Sequence, residues 1–141
     1  MDTGGGRKIM IIEDEEMLLT AISRKLNSSG FQTVTCTNAS QAVDYLSNFG
    51  ELPDIIWLDY YLPDMNGIDF MQKIRENENW AKIPVIVVSN SASEKKKKAM
   101  YELGVKKYVL KAKYKLDEIV NIVKEIIETN ETQPEQENAV S

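Results

Sequence analysis

Four short apolar runs, each stopping abruptly at a polar side chain, constrain this chain more than any other feature. They are Lys8-Ile9-Met10-Ile11-Ile12 before Glu13-Asp14, Ile55-Ile56-Trp57-Leu58 before Asp59, Val85-Ile86-Val87-Val88 before Ser89, and Tyr108-Val109-Leu110 before Lys111. Apolar runs with no polar alternation predict strands buried on both faces, the condition of central parallel strands covered by helices. A further strand is read at Phe31 to Cys36 from the β-branched Thr33, Val34 and Thr35.

The segments between these runs carry helical spacing. Met17, Leu18, Ala21, Ile22 and Leu26 form one apolar stripe, closed by Gly30; Ala39, Ala42, Val43 and Leu46 form a second, capped by Asn38 or Ser40. Ile68, Phe70, Met71 and Ile74 follow Asn66-Gly67. Ser93 caps a fourth helix from Glu94 to Leu103, and Leu116, Ile119, Val120, Val123, Ile126 and Ile127 give the fifth and strongest stripe. Five strands alternating with five helices predict an α/β domain with a parallel sheet and right-handed crossovers. Residues 1–7 are read as a flexible Gly-rich start, 8–129 as one folded domain, and 130–141, polar and acidic, as a disordered tail or the start of a linker.

Composition narrows the function classes. The chain has no histidine and a single cysteine, Cys36, so His-based catalytic and zinc sites and an intramolecular disulfide are excluded. Cys36 is read as a small buried hydrophobe and Trp57 as core. No apolar run approaches the roughly 20 residues that span a bilayer. The start lacks the apolar region of a signal peptide, so a cytoplasmic, membrane-free protein is expected. Net charge is −5 and uneven: from Lys95 to Lys115 there are nine lysines and one acid, Glu102, leaving −13 for the remainder. Lys95, Lys96, Lys97, Lys98, Lys106 and Lys107 are candidates for a basic face toward an acidic partner, although a solvated surface accounts for most such lysines. Four lysines at the unfavourable end of a helix dipole cost a few tenths of a kcal/mol each, roughly, which favours a role for them.

Parallel strands run the same way, so Glu13, Asp14, Asp59, Ser89 and Lys111 meet along one edge of the sheet. Ligands of open α/β sheets bind outside those carboxyl ends. Three carboxylates in one cleft repel one another unless a cation joins them or one stays protonated. An oxygen-only donor set suits Mg²⁺, which takes one or two carboxylates, waters and a phosphate. A carboxylate also serves as nucleophile toward phosphorus when the charge developing on the phosphoryl oxygens is neutralised. Lys111 supplies a point charge and Ser89 a hydroxyl, so the set is chemically complete for phosphoryl transfer to Asp59.

The order Glu13-Asp14, Leu58-Asp59 with Leu62-Pro63-Asp64-Met65-Asn66-Gly67, Val85-Ile86-Val87-Val88-Ser89 and Tyr108-Val109-Leu110-Lys111 resembles the receiver domain of bacterial-type response regulators from about Lys8 to Thr129. The resemblance implies a flavodoxin-like three-layer sandwich with strand order 2-1-3-4-5. It also implies that Asp59 accepts a phosphoryl group from a sensor histidine kinase, a phosphotransfer protein or a small phosphodonor. Asp14 and Asp59 would bind Mg²⁺ directly, with Mn²⁺ as a substitute, Glu13 through water, and Tyr61 through its backbone carbonyl. Ser89 would hydrogen-bond the phosphoryl group and Tyr108 would turn inward behind it. That change would remodel the face formed by the fourth helix, fifth strand and fifth helix for a downstream protein target. Tyr61 and Ser91 would influence the lifetime of phospho-Asp59, the bulk of Tyr61 hindering water.

The resemblance thus implies a two-component signalling switch, a phosphoacceptor that assists its own phosphorylation and dephosphorylation rather than an enzyme. No DNA-binding or catalytic domain is read after the fifth helix, so direct nucleic-acid binding is not expected. A phosphorylation-dependent dimer is compatible with the same pattern. Two departures stand out: Ala112 follows Lys111 where the family has proline in a cis peptide, and Ser89 stands where threonine is commoner. A cis bond before Ala112 would cost about 2.5–4 kcal/mol, so a trans loop could aim Lys111 differently. That departure supports the alternative of a pseudo-receiver, an interaction module that does not switch by phosphorylation. An aspartate-nucleophile phosphatase fits poorly, because Tyr61 occupies the place of its second acid.

Overall fold

The computed structural model describes residues 6–48 and 50–140, with side chains described up to residue 130. Five strands form one parallel sheet: β1 Lys8–Ile12, β2 Gln32–Cys36, β3 Ile55–Asp59, β4 Val85–Ser89 and β5 Lys107–Leu110, in the order β2-β1-β3-β4-β5. The helices are α1 Glu16–Ser28, α2 Ala39–Asn48, α3 Gly67–Arg75, α4 Glu78–Ala81, α5 Glu94–Glu102 and α6 Leu116–Val140. The five expected helices are present, and α4 is an added single turn. Its start is fixed by Asn77, whose Oδ1 accepts from the backbone N–H groups of Asn79 and Trp80 at 2.9 and 3.2 Å. With only four residues it lacks the length for an apolar stripe, the signal by which the other helices are read.

Burial alternates along each inner strand with opposite partners. Met10, Ile12, Ile56, Leu58, Val85, Val87 and Tyr108 share one core with α2, α3 and α5, through Ala42, Leu46, Phe70, Ile74 and Met100. Ile9, Ile11, Ile55, Trp57, Ile86, Val88 and Val109 share the other with α1 and α6, through Ile22, Leu26, Ile119, Val120 and Val123. A strand covered on both faces has no polar position to spare, which is why these segments read as continuous apolar runs. Trp57 and Cys36 are core residues, as expected, and burial pushes the Cys36 thiol up to about 11.

Several boundaries differ from the expected ones. Lys111 falls just past β5 and opens a 3-10 turn, Lys111–Lys113. α6 is bounded at Val140, beyond the compositional boundary at residue 130; side chains of 131–140 lie outside the described part, as do residues 1–5 of the segment read as flexible. Among the described residues no helix is long and apolar enough to cross a membrane.

The β3–α3 loop is tied down at both ends. Gly67 N–H donates to the Tyr60 carbonyl at 2.7 Å and Leu62 N–H to the Met65 carbonyl at 3.3 Å, forming an antiparallel bridge between Tyr61 and Asn66. A Cβ at Gly67 would stand 3.0 Å from Met100 Cε and 3.1 Å from Tyr60 Cδ2, so any side chain there would make both neighbours give way. Asp64 reaches across to α2, its two oxygens each accepting at 2.9 Å from Ala39 and Ser40 N–H. Desolvation opposes the charge, but these backbone bonds outweigh it and hold the carboxyl below its ordinary pKa.

This bond makes a pH-dependent contribution. A depressed folded pKa stabilises above the unfolded value and loses that stability as pH falls through the folded one. Asp64→Ala is therefore expected to cost about 0.5–1 kcal/mol in urea unfolding at pH 7, the range for losing an exposed cap. The gap from wild type should narrow as pH falls below about 4. A gap that did not narrow at all on the acid side of that value would place the effect elsewhere.

Candidate functional site

The sheet register sets the site. Ile12 pairs with Leu58, and Glu13 N–H extends the ladder by donating to the Cys36 carbonyl at 3.0 Å, so Glu13 and Asp59 end adjacent strands. Asp59 pairs with Val88 and Ser89 with Leu110, which lines up the remaining strand ends beside them. Glu13 and Ser89 are fully buried and Asp59 is 7% exposed, whereas Asp14 faces solvent. One carboxylate oxygen from each of Glu13, Asp14 and Asp59 lies within 4.8 Å of the others.

Lys111 closes this group from the far side of β4. Its Nζ lies 3.0 Å from Glu13 Oε1 and 3.5 Å from Asp59 Oδ2. All described peptide bonds are trans, so Lys111 meets the acids without the cis bond the family pattern would supply before Ala112. Burial opposes the lysine's charge, but the Glu13 hydrogen bond and the Asp59 charge outweigh it and raise its pKa. For Asp59 the balance goes the other way. Desolvation and the neighbouring Glu13 push its pKa up to about 6, against the opposing pull of Lys111 and the Tyr61 N–H, which donates to Oδ1 at 3.3 Å.

Both Glu13 oxygens are engaged, one by Lys111 and the other by Glu15 N–H at 3.0 Å. Asp14 is left exposed beside Asp59. Oxygen donors from three acids, with no histidine or thiolate among them, fit a hard divalent cation. The Tyr61 carbonyl is not used by the two hydrogen bonds that close the loop bridge.

On the β4 side a ladder of serines leads away from the site. Ser89 Oγ accepts from Ser91 N–H at 3.0 Å, Ser91 Oγ from Ser93 N–H at 3.3 Å, and Ser93 Oγ from Lys96 N–H at 3.3 Å, capping α5. Tyr108 is turned inward and buried; its hydroxyl donates to the Ser91 carbonyl at 3.0 Å. Its backbone N–H, on the open edge of the sheet, donates to the Tyr101 hydroxyl at 3.0 Å.

Lys96 behaves unlike the lysines around it. Lys95, Lys97, Lys98 and Lys106 are exposed and Lys107 half-buried, while Lys96 turns toward the β3–α3 loop. There its Nζ donates to the Tyr61 hydroxyl and lies 4.7 Å from the Tyr61 ring centre and 5.3 Å from that of Tyr60. The sequence placed Lys96 with the basic face, because a run of four lysines carries no sign of which one faces inward. The tie of Asp64 to α2 and the Tyr101 hydroxyl on β5 were likewise not identified, since both depend on residues distant in sequence.

Comparison with known proteins places this arrangement. A family model for the response regulator receiver domain matches residues 9–124. The chain belongs to that family. This receiver domain is 30% identical over 132 residues to the transcriptional regulatory protein KdpE of Mycobacterium tuberculosis, covering 94% of this chain and 56% of that one. With the phosphate regulon transcriptional regulatory protein PhoB of Escherichia coli it shares 30% over 105 residues, covering 74% and 45%. The chain thus spans about half the length of these curated relatives. Among solved structures it is similar to the phosphorylated cyanobacterial phytochrome response regulator RcpA, with 29% identity, TM-score 0.74, and coverage of 91% of this chain and 96% of that one. The Mn²⁺-bound response regulator Rcp1 matches at 26% identity and TM-score 0.72, covering 85% and 91%. A CheY-like receiver domain from Methanospirillum hungatei, 20% identical with TM-score 0.81, covering 91% and 98%, shows the same fold.

The raised pKa of Asp59 has a measurable consequence for the receiver domain. When a folded pKa lies above the unfolded one, stability falls as pH rises between the two values, here from about 4 to about 6. Asp59→Asn is expected to stabilise the metal-free protein at pH 7 by about 1–3 kcal/mol, with the gain fading by pH 4. Equal stability of the two proteins at both pH values, by chemical unfolding in EDTA, would show that Asp59 is not held at such a cost.

Proposed function

We propose that this receiver domain is a phosphoacceptor switch in which Asp59 takes a phosphoryl group from a histidine kinase, a phosphotransfer protein or a small phosphodonor. The observation that carries this reading is the convergence of Glu13, Asp14 and Asp59 with Lys111 beside them. At neutral pH Asp59, with its pKa near 6, is a carboxylate and therefore a nucleophile. Its oxygen attacks phosphorus, the bond from phosphorus to the donor breaks, and the electron pair leaves with the donor. Lys111 Nζ, already 3.5 Å from Asp59 Oδ2, is within reach of the oxygens of the new group. Ser89 Oγ accepts its loop contact from Ser91, so its own hydrogen remains to donate.

Asp14 and Asp59 are the direct ligands we assign to Mg²⁺, or to Mn²⁺ in its place, with the Tyr61 carbonyl as a third. Glu13, with both oxygens already engaged, acts through water. The bound ion would supply the positive charge that three acids and one lysine lack. The Mn²⁺-bound form of Rcp1 supports this choice of cation class.

Output is assigned to the face of α5, β5 and α6, where Ser89, Ser91 and Tyr108 connect the site to α5. The exposed Lys95, Lys97, Lys98 and Lys106, with the half-buried Lys107, make that side basic and suited to an acidic protein target. The pseudo-receiver alternative draws on the Lys111–Ala112 departure, a support that Mg²⁺-dependent labelling would remove; Lys111 lying 3.0 Å from Glu13 across a trans bond favours the switch.

Incubation with Mg²⁺ and acetyl phosphate is expected to add one phosphoryl group by intact mass, lost in Asp59→Asn and in EDTA. No gain, together with no Mg²⁺ binding, would return the pseudo-receiver. Neutralising Lys95, Lys97 and Lys98 together should weaken binding to the target without changing phosphorylation. Equal binding by both forms at low salt would remove the basic face from the account.

A further inference from the structure

Resting on that reading of Asp59, we propose that Lys96 is a positioning residue that clasps Tyr61 across the mouth of the site and slows hydrolysis of phospho-Asp59. Two loops flank the reacting carboxylate. One is held to it by the Tyr61 N–H on Asp59 Oδ1, the other to Ser89 Oγ by the Ser91 N–H. The Tyr61 side chain spans from the first loop to the second. Its hydroxyl takes the Lys96 ammonium, and that pair lowers the phenol's pKa while raising that of the lysine. The Tyr60 ring meets Tyr61 edge-on, with centroids 4.8 Å apart and planes at 68°, and the same ammonium lies near both rings.

An otherwise half-exposed phenol is thereby held by the cation on one side and the Tyr60 edge on the other. Tyr61 is 49% exposed, so the rest of the protein packs against only part of it. Without the cation, little besides the Tyr60 edge would keep it over the cleft. Hydrolysis needs a water oxygen to reach phosphorus. The bond from phosphorus to the Asp59 oxygen then breaks, the carboxylate is regenerated and dihydrogen phosphate leaves. A phenol fixed across the mouth occupies space that the attacking water must use, and a freely rotating one does so for only part of the time.

The decay of the phosphorylated protein after donor removal, followed by intact mass at constant Mg²⁺, tests this. An exposed cation–π and hydrogen-bond contact of this kind corresponds to an acceleration of about threefold in Lys96→Met. Lys96→Arg, which keeps the cation, should restore most of the wild-type rate, a rescue that a general loosening of α5 would not give. In a Tyr61→Ala background, Lys96→Met should change nothing further. Wild-type decay in Lys96→Met, or the same acceleration with and without Tyr61, overturns the clasp alone. A wild-type protein that takes up no phosphoryl group overturns the phosphoacceptor reading and the clasp with it.

Discussion

Two buried carboxylates at neighbouring strand ends, held by a single lysine, are the interaction around which this molecule is arranged. Glu13 and Asp59 are placed side by side by the β1–β3 register, and that register is in turn fixed by the apolar cores on both faces of the sheet. Slipping either strand by one residue would turn its whole apolar set to the wrong core, so the acids cannot move apart to relieve their repulsion. Lys111 offsets part of it, and the elevated pKa of Asp59 is the part left over. A site short of positive charge in this way favours added cations.

Burial of the central strands on both faces also explains why the chemistry is confined to one edge. Polar side chains are absent from the middle of β1, β3 and β4, where both faces are covered, and appear as soon as each strand leaves the cores. Glu13, Asp59 and Ser89 each stand at such an exit. Lys111 stands one residue farther out, at the start of a 3-10 turn, and that extra step lets its side chain return toward Glu13 and Asp59. The same exits lead to the loops that carry Tyr61 and Ser91, so Asp59 and the loops beside it share their anchors.

What the sequence made legible was whatever a local pattern encodes. Apolar runs marked four strands and β-branched residues the other, stripes marked the long helices, and the polar residue ending each run marked Glu13, Asp59, Ser89 and the neighbourhood of Lys111. Gly30, with φ of 95°, occupies the left-handed turn after α1 that its position suggested. Contacts made by side chains far apart in sequence were not legible. Asp64 sits in a loop yet serves α2, 25 and 24 residues back, and Lys96 meets Tyr61 35 residues away. Neither partner leaves a periodic trace. Lys96 was further hidden because four identical residues in a row look equally solvated until the direction of the helix is known.

The β4–α5 loop is gripped from two opposite sides. Lys96 of α5 ties it from the solvent side to Tyr61, while Tyr108 holds it from within through the Ser91 carbonyl. Ser91 is also the residue whose N–H rests on Ser89. A shift of Ser89 toward a group on Asp59 would therefore pull on Ser91, and through it on the hydroxyl of Tyr108 and on the serine ladder that leads to Lys96. In the proposed switch the outer contact bears on access of water to the site, and the inner one faces the surface available to a target. The β4–α5 loop would thus connect how long a phosphoryl group persists to what the far face presents while it does.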